Sequence, residues 1–476
     1  MPLAARVRQA GRPRYGRRDA RATARLPSEL RRAGRLRYGA SAVCATARLP
    51  SAYGFGAATR AGGGAACSAG VHACRIAGVP PAPRVTRSTG PVPISPGLPC
   101  PAQIPNQDAM RISPLLLLVA CVIALPLRAA ELKTRNVLFI STDGLRWQEV
   151  FRGAEEALMT KENGGIAPAA INSVRKKYWR ATPEERRETL MPFVWGEVAK
   201  RGQIFGNRDK GSDGHVTNAF HFSYPGYSEF LCGHADDERI TTNDAIPNPN
   251  VNVLEFLHAR PGFAGKVAAY NTWDVLSAIL NRERSGLPMW TQGDTSPPDV
   301  GGPVQRLVET MLAQHPWPWR EESFDVFTFQ AAKEYLAMKK PRVLYVNFGE
   351  NDEWAHAGRY DHYLASIVNV DRFIRELWET MQSMPEYRGT TTLLLTTDHG
   401  RGAGLESWKT HGKAFAESGE WWTAALGPDT PALGERENVA PVVQAQIAAT
   451  IAKFVGENFR AAVPEAAEAI GEMFAR

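Results

Sequence analysis

Asn136-Val-Leu-Phe-Ile-Ser-Thr142 is apolar at nearly every position, without a period of two, and stops at Asp143-Gly144. Runs of the same kind occupy Arg342 to Phe348, Thr391 to Thr397 and Trp422 to Leu426. A strand covered on both faces reads this way, so the four runs predict buried parallel strands. Tyr363, Ile367, Val370, Ile374, Leu377, Trp378 and Met381 recur at helical spacing, as do Ile447, Ile451, Phe454 and Val455. Strands alternating with amphipathic helices predict an α/β fold, a doubly wound and mostly parallel sheet with helices on both faces. From about Thr241 to Phe324 the chain is dense in Pro, Asn and Trp, as in Pro247-Asn-Pro-Asn250 and His315-Pro-Trp-Pro-Trp319. That stretch predicts loops or a small inserted cap over the sheet ends.

The first quarter of the chain has a different character. Residues 1–109 are rich in Arg, Ala, Gly and Pro, lack Lys and show no sustained apolar period, so they cannot build a core. They hold 17 Arg against three acids, a net of +14 in a chain of +7, so residues 110–476 carry −7. The basic balance therefore implies no nucleic-acid partner for the rest of the chain. As a segment, 1–109 reads either as an arm for a polyanion or as upstream sequence translated from too early a start. The adjoining residues favour the second reading. Met110-Arg111 leads into an apolar run, Ile112 to Leu127, that ends in Leu127-Arg-Ala-Ala130. This is the layout of a secretory signal peptide over 110–130, and the run, interrupted at Pro114 and Pro126, is short for a membrane span. The expectation is a mature chain of residues 131–476, without a membrane span, in the periplasm or secreted. Of the six cysteines only Cys232 falls in that mature chain, so it has neither an internal disulfide nor a thiolate metal site.

The polar residues sit where an open α/β sheet collects its chemistry, outside the carboxyl ends of the strands. Asp143 ends one strand, Asp352 follows a second in Asn351-Asp-Glu-Trp-Ala-His356, and Asp398-His-Gly400 ends a third, with Thr410-His-Gly412 downstream. Asp143, Asp352 and Asp398 with His356, His399 and His411 form a donor set able to hold two divalent ions, Zn²⁺ or, where oxygen dominates, Mn²⁺. Each motif alone has a plainer reading. Asp-Gly after a strand makes a turn, Asp352 and His356 are spaced as a helical i,i+4 pair, and Thr410-His-Gly412 suits a loop. Asp398-His399 at a buried strand end is the hardest to explain by packing.

In order and placement these segments resemble the alkaline phosphatase superfamily, in particular its phosphodiesterase/nucleotide pyrophosphatase and phosphoglyceromutase-like branches, over residues 136 to about 428. The resemblance implies that Asp143, Asp398 and His399 bind one ion and that Asp352, His356 and His411 bind the other. It places the nucleophile at Ser223 in Phe222-Ser-Tyr-Pro-Gly-Tyr227, at a helix start and in contact with a metal. A serine hydroxyl needs that activation at neutral pH. The implied reaction is hydrolysis of a small-molecule phosphoric ester through a phosphoseryl intermediate. Asn243, in Thr241-Thr-Asn-Asp244, is a candidate donor to an equatorial phosphoryl oxygen.

The sequence also departs from its relatives. Formylglycine-forming sulfatases carry Arg two residues after the proline, where this chain has Tyr227, and pyrophosphatase-like members carry Thr-Phe-Pro-Asn where it has Ser-Tyr-Pro-Gly. Alternatives are a sulfatase or phosphonate hydrolase on the same scaffold, and, from another class, a non-catalytic metal- or anion-binding protein. Ser228 and Thr217 compete with Ser223 as hydroxyls, His215 and His221 are near enough in sequence to line the same pocket, and Trp408 reads as core.

Overall fold

Strands and helices alternate through the computed structural model, which describes residues 131–291, 294, 302–315, 318–319 and 321–475. The basic segment 1–109 and the expected leader 110–130 lie outside the described residues. The strands are β1 (Asn136–Thr142), β2 (Gln203–Phe205), β3 (Ser212–His215), β4 (Val267–Asn271), β5 (Met289–Thr291), β6 (Val343–Phe348), β7 (Thr391–Thr397), β8 (Thr423–Leu426), β9 (Gly434–Glu435) and β10 (Val439–Val443). The helices that shape the site and its supports are α1 (Ser223–Cys232), α2 (Asp325–Lys339), α3 (Glu350–His356), α4 (Tyr360–Ser383) and α5 (Gln446–Phe454).

Among the described residues eight strands form one sheet in the order β5-β4-β6-β1-β7-β8-β2-β9, and β10 pairs with β3 separately. From β5 through β7 every pairing is parallel. β8 is antiparallel to both of its neighbours, β7 and β2. The run from Trp422 to Leu426, read as a parallel strand, is thus buried but reversed. An all-apolar run reports cover on both faces, and here that cover does not depend on chain direction.

Side chains of the central strands alternate between two cores, as the pleat requires. Leu138 and Ile140 of β1, Leu344 and Val346 of β6, and Leu393 and Leu395 of β7 join one core with residues of α2 and α4. Val137, Phe139, Val343, Tyr345 and Leu394 join the other, with α1 and α5. Phe139 stacks on Tyr345 with ring centroids 4.9 Å apart and meets Phe230 of α1 edge-on at 5.5 Å. Helices on both faces explain why the strands show no alternation in sequence. All seven helical positions read between Tyr363 and Met381 are buried on α4, while Val455 lies just past the end of α5 and packs only partly.

The stretch from 241 to 324, expected as loops or a cap, also supplies β4 and β5, and β4 pairs in register with β6 along Val267–Asn271. Its five-residue run is short and stands amid Pro and Asn, so composition outweighed a real strand signal.

Because β1 lies between β6 and β7 with Thr142 opposite Phe348 and Thr397, three strands end side by side at one edge. That alignment brings three distant segments of sequence together. α4 is the longest helix cladding this region, and Ile367 on it is fully buried. Ile367→Ala is expected to lower unfolding stability by about 2–5 kcal/mol, read from denaturant melts, and a change under about 0.5 kcal/mol would contradict this account of the core.

Candidate functional site

Each of the three strand ends delivers one carboxylate. Asp143 follows β1, its backbone N–H donating to Phe348 O at 2.9 Å, and Asp398 follows β7, its N–H donating to Thr142 O at 3.3 Å. Asp352 arrives on the first turn of α3, directly after β6. Gly144 lets the chain turn away at φ +57°, and a Cβ there would stand 2.6 Å from Asp352 Oδ1, so the close approach of the loops requires glycine. On the other side, a Cβ at Gly226 in α1 would collide with the Asp398 carbonyl, and its absence lets the start of α1 lie against the end of β7.

Asp398 and His399 are fully buried and Asp143 nearly so. Asp398 Oδ1 accepts from the N–H groups of Gly144 (2.9 Å) and His399 (2.8 Å), and Asp143 Oδ2 accepts from Tyr227 OH (3.0 Å). The opposite oxygens, Asp143 Oδ1 and Asp398 Oδ2, are buried without a hydrogen-bond donor. His399 Nδ1 lies 2.8 Å from Gly400 O, and when that nitrogen carries the proton the Nε2 lone pair faces the carboxylates. Nε2 is 3.3 Å from Asp143 Oδ1 and 3.4 Å from Asp398 Oδ2. Three lone-pair atoms close to one another in a buried site match the donor chemistry of a divalent cation. Asp143, Asp398 and His399 can all offer ligand atoms within 4.8 Å of one another.

A second group of ligand atoms within the same limit joins Asp352, His399 and His411. His356 Nε2 is 3.0 Å from Asp352 Oδ2 and 3.0 Å from His411 Nε2, while His411 Nε2 is 3.6 Å from Asp352 Oδ1. The structure therefore brings all six expected donors together, with His399 between the two groups and His356 at the outer, solvent-facing end.

Ser223 stands at the first position of α1, buried, with Oγ 3.3 Å from His399 Nε2. The competing hydroxyls are otherwise engaged. Ser228 Oγ accepts from Asn248 Nδ2 at 3.0 Å, and Thr217 Oγ1 donates to Glu229 Oε1 at 2.9 Å. Asn243 lies on an exposed loop and accepts from the Tyr224 N–H at 2.9 Å, so its carbonyl caps the first turn of α1. His221 holds a left-handed backbone, φ +54°, just ahead of Ser223, and His215 pairs with Asp213 at 3.4 Å. Trp408 is core: it is fully buried and its indole N–H donates to Asn163 O. Burial pushes the Cys232 thiol up to about 12, consistent with an inert residue in α1.

The electrostatics follow from crowding like charges in a dry site. Burial and the neighbouring Asp352 carboxylate raise the Asp143 pKa, and burial and Asp143 raise Asp398 further. Burial works against a charged His399, but Asp398 and Asp143 outweigh it and lift its pKa to about 9. Burial also pushes Asp352 up, yet Arg401, His356 and His411 together hold it well below the usual carboxylate range. His411 is driven well down by burial and by the His399 charge.

Two neighbours of the centre had no assigned role in the sequence. Arg401, fully buried, donates through Nη1 to Asp352 Oδ1. Tyr227, whose hydroxyl binds Asp143, receives a hydrogen bond from Asn347 Nδ2 at 2.6 Å. Asn347 left a trace, as a lone amide inside an otherwise apolar strand run. Arg401 left another, as a cation directly after Asp398-His-Gly400.

Residues 321–411 match the model of the Metalloenzyme superfamily, a span that includes Asp352, His356, Asp398, His399 and His411. No curated protein matches the chain. Among solved structures, the chain is similar to the alkaline phosphatase PafA, at 12% identity and a TM-score of 0.45 over 73% of this chain and 100% of that one. It is similar to the murine ectonucleotide pyrophosphatase/phosphodiesterase 5, at 12% identity and 0.41 over 72% and 100%, and to Ps i-CgsB bound to k-i-k-neocarrahexaose, at 16% and 0.42 over 72% and 75%.

A cation held by Asp143, Asp398 and His399 would compete with protons for the same atoms. Cation affinity is therefore expected to rise with pH, by roughly tenfold per unit for each proton displaced, up to about 9, above which His399 is mostly neutral. Calorimetry of Zn²⁺ binding near neutral pH, in two buffers of different ionisation enthalpy, should register net proton release. Binding without release would contradict this description of the site.

Proposed function

We propose, from the match of residues 321–411 to the Metalloenzyme superfamily model and from the site's geometry, that this chain is a metal-dependent hydrolase of phosphoric esters that uses Ser223 as nucleophile and two divalent ions, Zn²⁺ or Mn²⁺. The observation that carries the reading is the placement of Ser223 Oγ 3.3 Å from His399 Nε2, the donor common to both ligand groups. Asp143, Asp398 and His399 would hold one ion, with Ser223 Oγ beside it, and Asp352, His356 and His411 the other. Bound there, the ions supply positive charge that favours the serine alkoxide and neutralises phosphoryl oxygens.

The chain's own groups do the rest. α1 fixes Ser223 at its first turn, held against the end of β7 by the close contact at Gly226. Ser223 gives up its proton and attacks phosphorus in line, the bond from phosphorus to the leaving oxygen breaks on the opposite side and that oxygen takes a proton, and water later cleaves the phosphoseryl ester, releasing phosphate and restoring the hydroxyl. Asn243, its carbonyl tied to the Tyr224 N–H, keeps its amide NH₂ for an equatorial phosphoryl oxygen. The signal-peptide layout at 110–130 supports export to the periplasm or medium. Among the described residues no helix is long and apolar enough to cross a membrane.

The test is a substrate-class assay of the full chain loaded with Zn²⁺ or Mn²⁺, using aryl phosphate monoesters, phosphodiesters and sulfates. Phosphoric-ester turnover is the expected result. Preference for sulfate would move the chain to the sulfatases, and no bound metal with no turnover would favour a binding protein. Ser223→Ala is expected to reduce turnover by roughly 10³-fold or more with metal content retained, whereas Asp398→Ala should lose an ion as well. Asn243→Ala should cost about 10²-fold. Substantial turnover by the serine variant would place the nucleophile elsewhere.

A further inference from the structure

Arg401 is fully buried, and each of its three nitrogens has an acceptor. Nη1 donates to Asp352 Oδ1 on α3, Nε to Trp408 O at 2.9 Å, and Nη2 to Lys409 O at 2.6 Å. Trp408 and Lys409 close a short 3-10 turn, Ser407–Lys409, and the next residues are Thr410 and His411. The base of this loop is closed by Gly402 N–H on Thr410 O at 3.1 Å. One guanidinium thus ties the carboxylate of Asp352 to the backbone that carries His411.

Asp352 and His356 need no such link, because a single helix sets their i,i+4 spacing. His411 differs, since it sits beyond the end of any strand or α-helix and must find Asp352 across the edge of the sheet. We propose that Arg401 is a positioning residue for the cation position formed by Asp352, His356 and His411, and that it fixes the distance between Asp352 and His411. This inference rests on the two-ion reading of the site.

The task needs a planar fork. A guanidinium presents several N–H groups at fixed angles and can serve a carboxylate on one edge and carbonyls on the other, while an ammonium on a flexible stem cannot hold all three. The charge matters too, because the Asp352 carboxylate is buried among other carboxylates. Gly144 shows how tightly the fork is seated, since a Cβ there would lie 2.8 Å from Arg401 Nη1. Arg401 has no exposure to solvent and all three of its nitrogens are committed to acceptors within the protein, so it acts through Asp352 and the backbone that leads to His411.

The test is calorimetric titration of the metal-stripped full chain with Zn²⁺, comparing wild type, Arg401→Lys and His356→Ala. Wild type should bind two ions. Arg401→Lys should bind one ion as wild type does and the other about 10- to 100-fold more weakly, and the weakened event should be the one lost in His356→Ala. Arg401→Gln, which buries no charge, gives the same readout if the lysine variant does not fold. Wild-type affinities for both ions, equal weakening of both, or failure of both variants to melt cooperatively would overturn the assignment and leave Arg401 a support of the fold alone. Fewer than two ions on wild type would instead overturn the two-ion reading itself.

Discussion

Three carboxylates that repel one another are held side by side in a dry site because β1 is hydrogen-bonded to β6 on one side and β7 on the other, all in parallel register. The cost of that crowding is visible in the raised pKa values of Asp143 and Asp398, both driven first by burial. Two thick cores hold the strands in place, so the side chains cannot relax by moving apart. Only added positive charge resolves the conflict. Within the chain that charge comes from His399, whose pKa is lifted to about 9, and from buried Arg401; a divalent cation would supply it more compactly.

The arrangement also separates rigid parts from adjustable ones. Asp143, Asp398 and His399 sit within a residue or two of strand ends, and backbone N–H groups of Gly144 and His399 orient Asp398. Ser223 depends on α1, whose first turn is tied by Asn243 and seated against Asp398 through the bare backbone of Gly226. Upstream of the serine, Glu229 gathers the N–H groups of Thr217 and Asn218, so the approach to α1 is clamped from within the same helix. The outer donors, His356 and His411, hang instead on one turn of helix and on a loop.

Much of this was legible in the chain. Burial on both faces left continuous apolar runs at β1, β6 and β7 with boundaries accurate to a residue, and their polar successors pointed to one sheet edge. Direction and pairing were not legible, because apolar cover on both faces is silent about chain sense, and so β8 emerged reversed. β4 hid among prolines and asparagines, its five residues too few to outweigh the composition around them. Arg401 and Tyr227 act only through partners far away in sequence, and no local period or spacing encodes such a contact. In the sequence Ser223 and Ser228 were separable only through motif order; in the fold Ser228 faces Asn248 and Ser223 stands beside His399.

His399 has one lone pair to give, yet Nε2 lies 3.3 Å from Asp143 Oδ1 and 4.0 Å from Asp352 Oδ1. A single imidazole nitrogen cannot serve two ions at once, so if the two proposed ions bind together, His399 goes to one of them and Asp352, His411 and His356, whose side chain is 42% exposed, serve the other. Two such positions would differ in exchange, the one beside solvent-facing His356 being the first that a chelator in solution would meet.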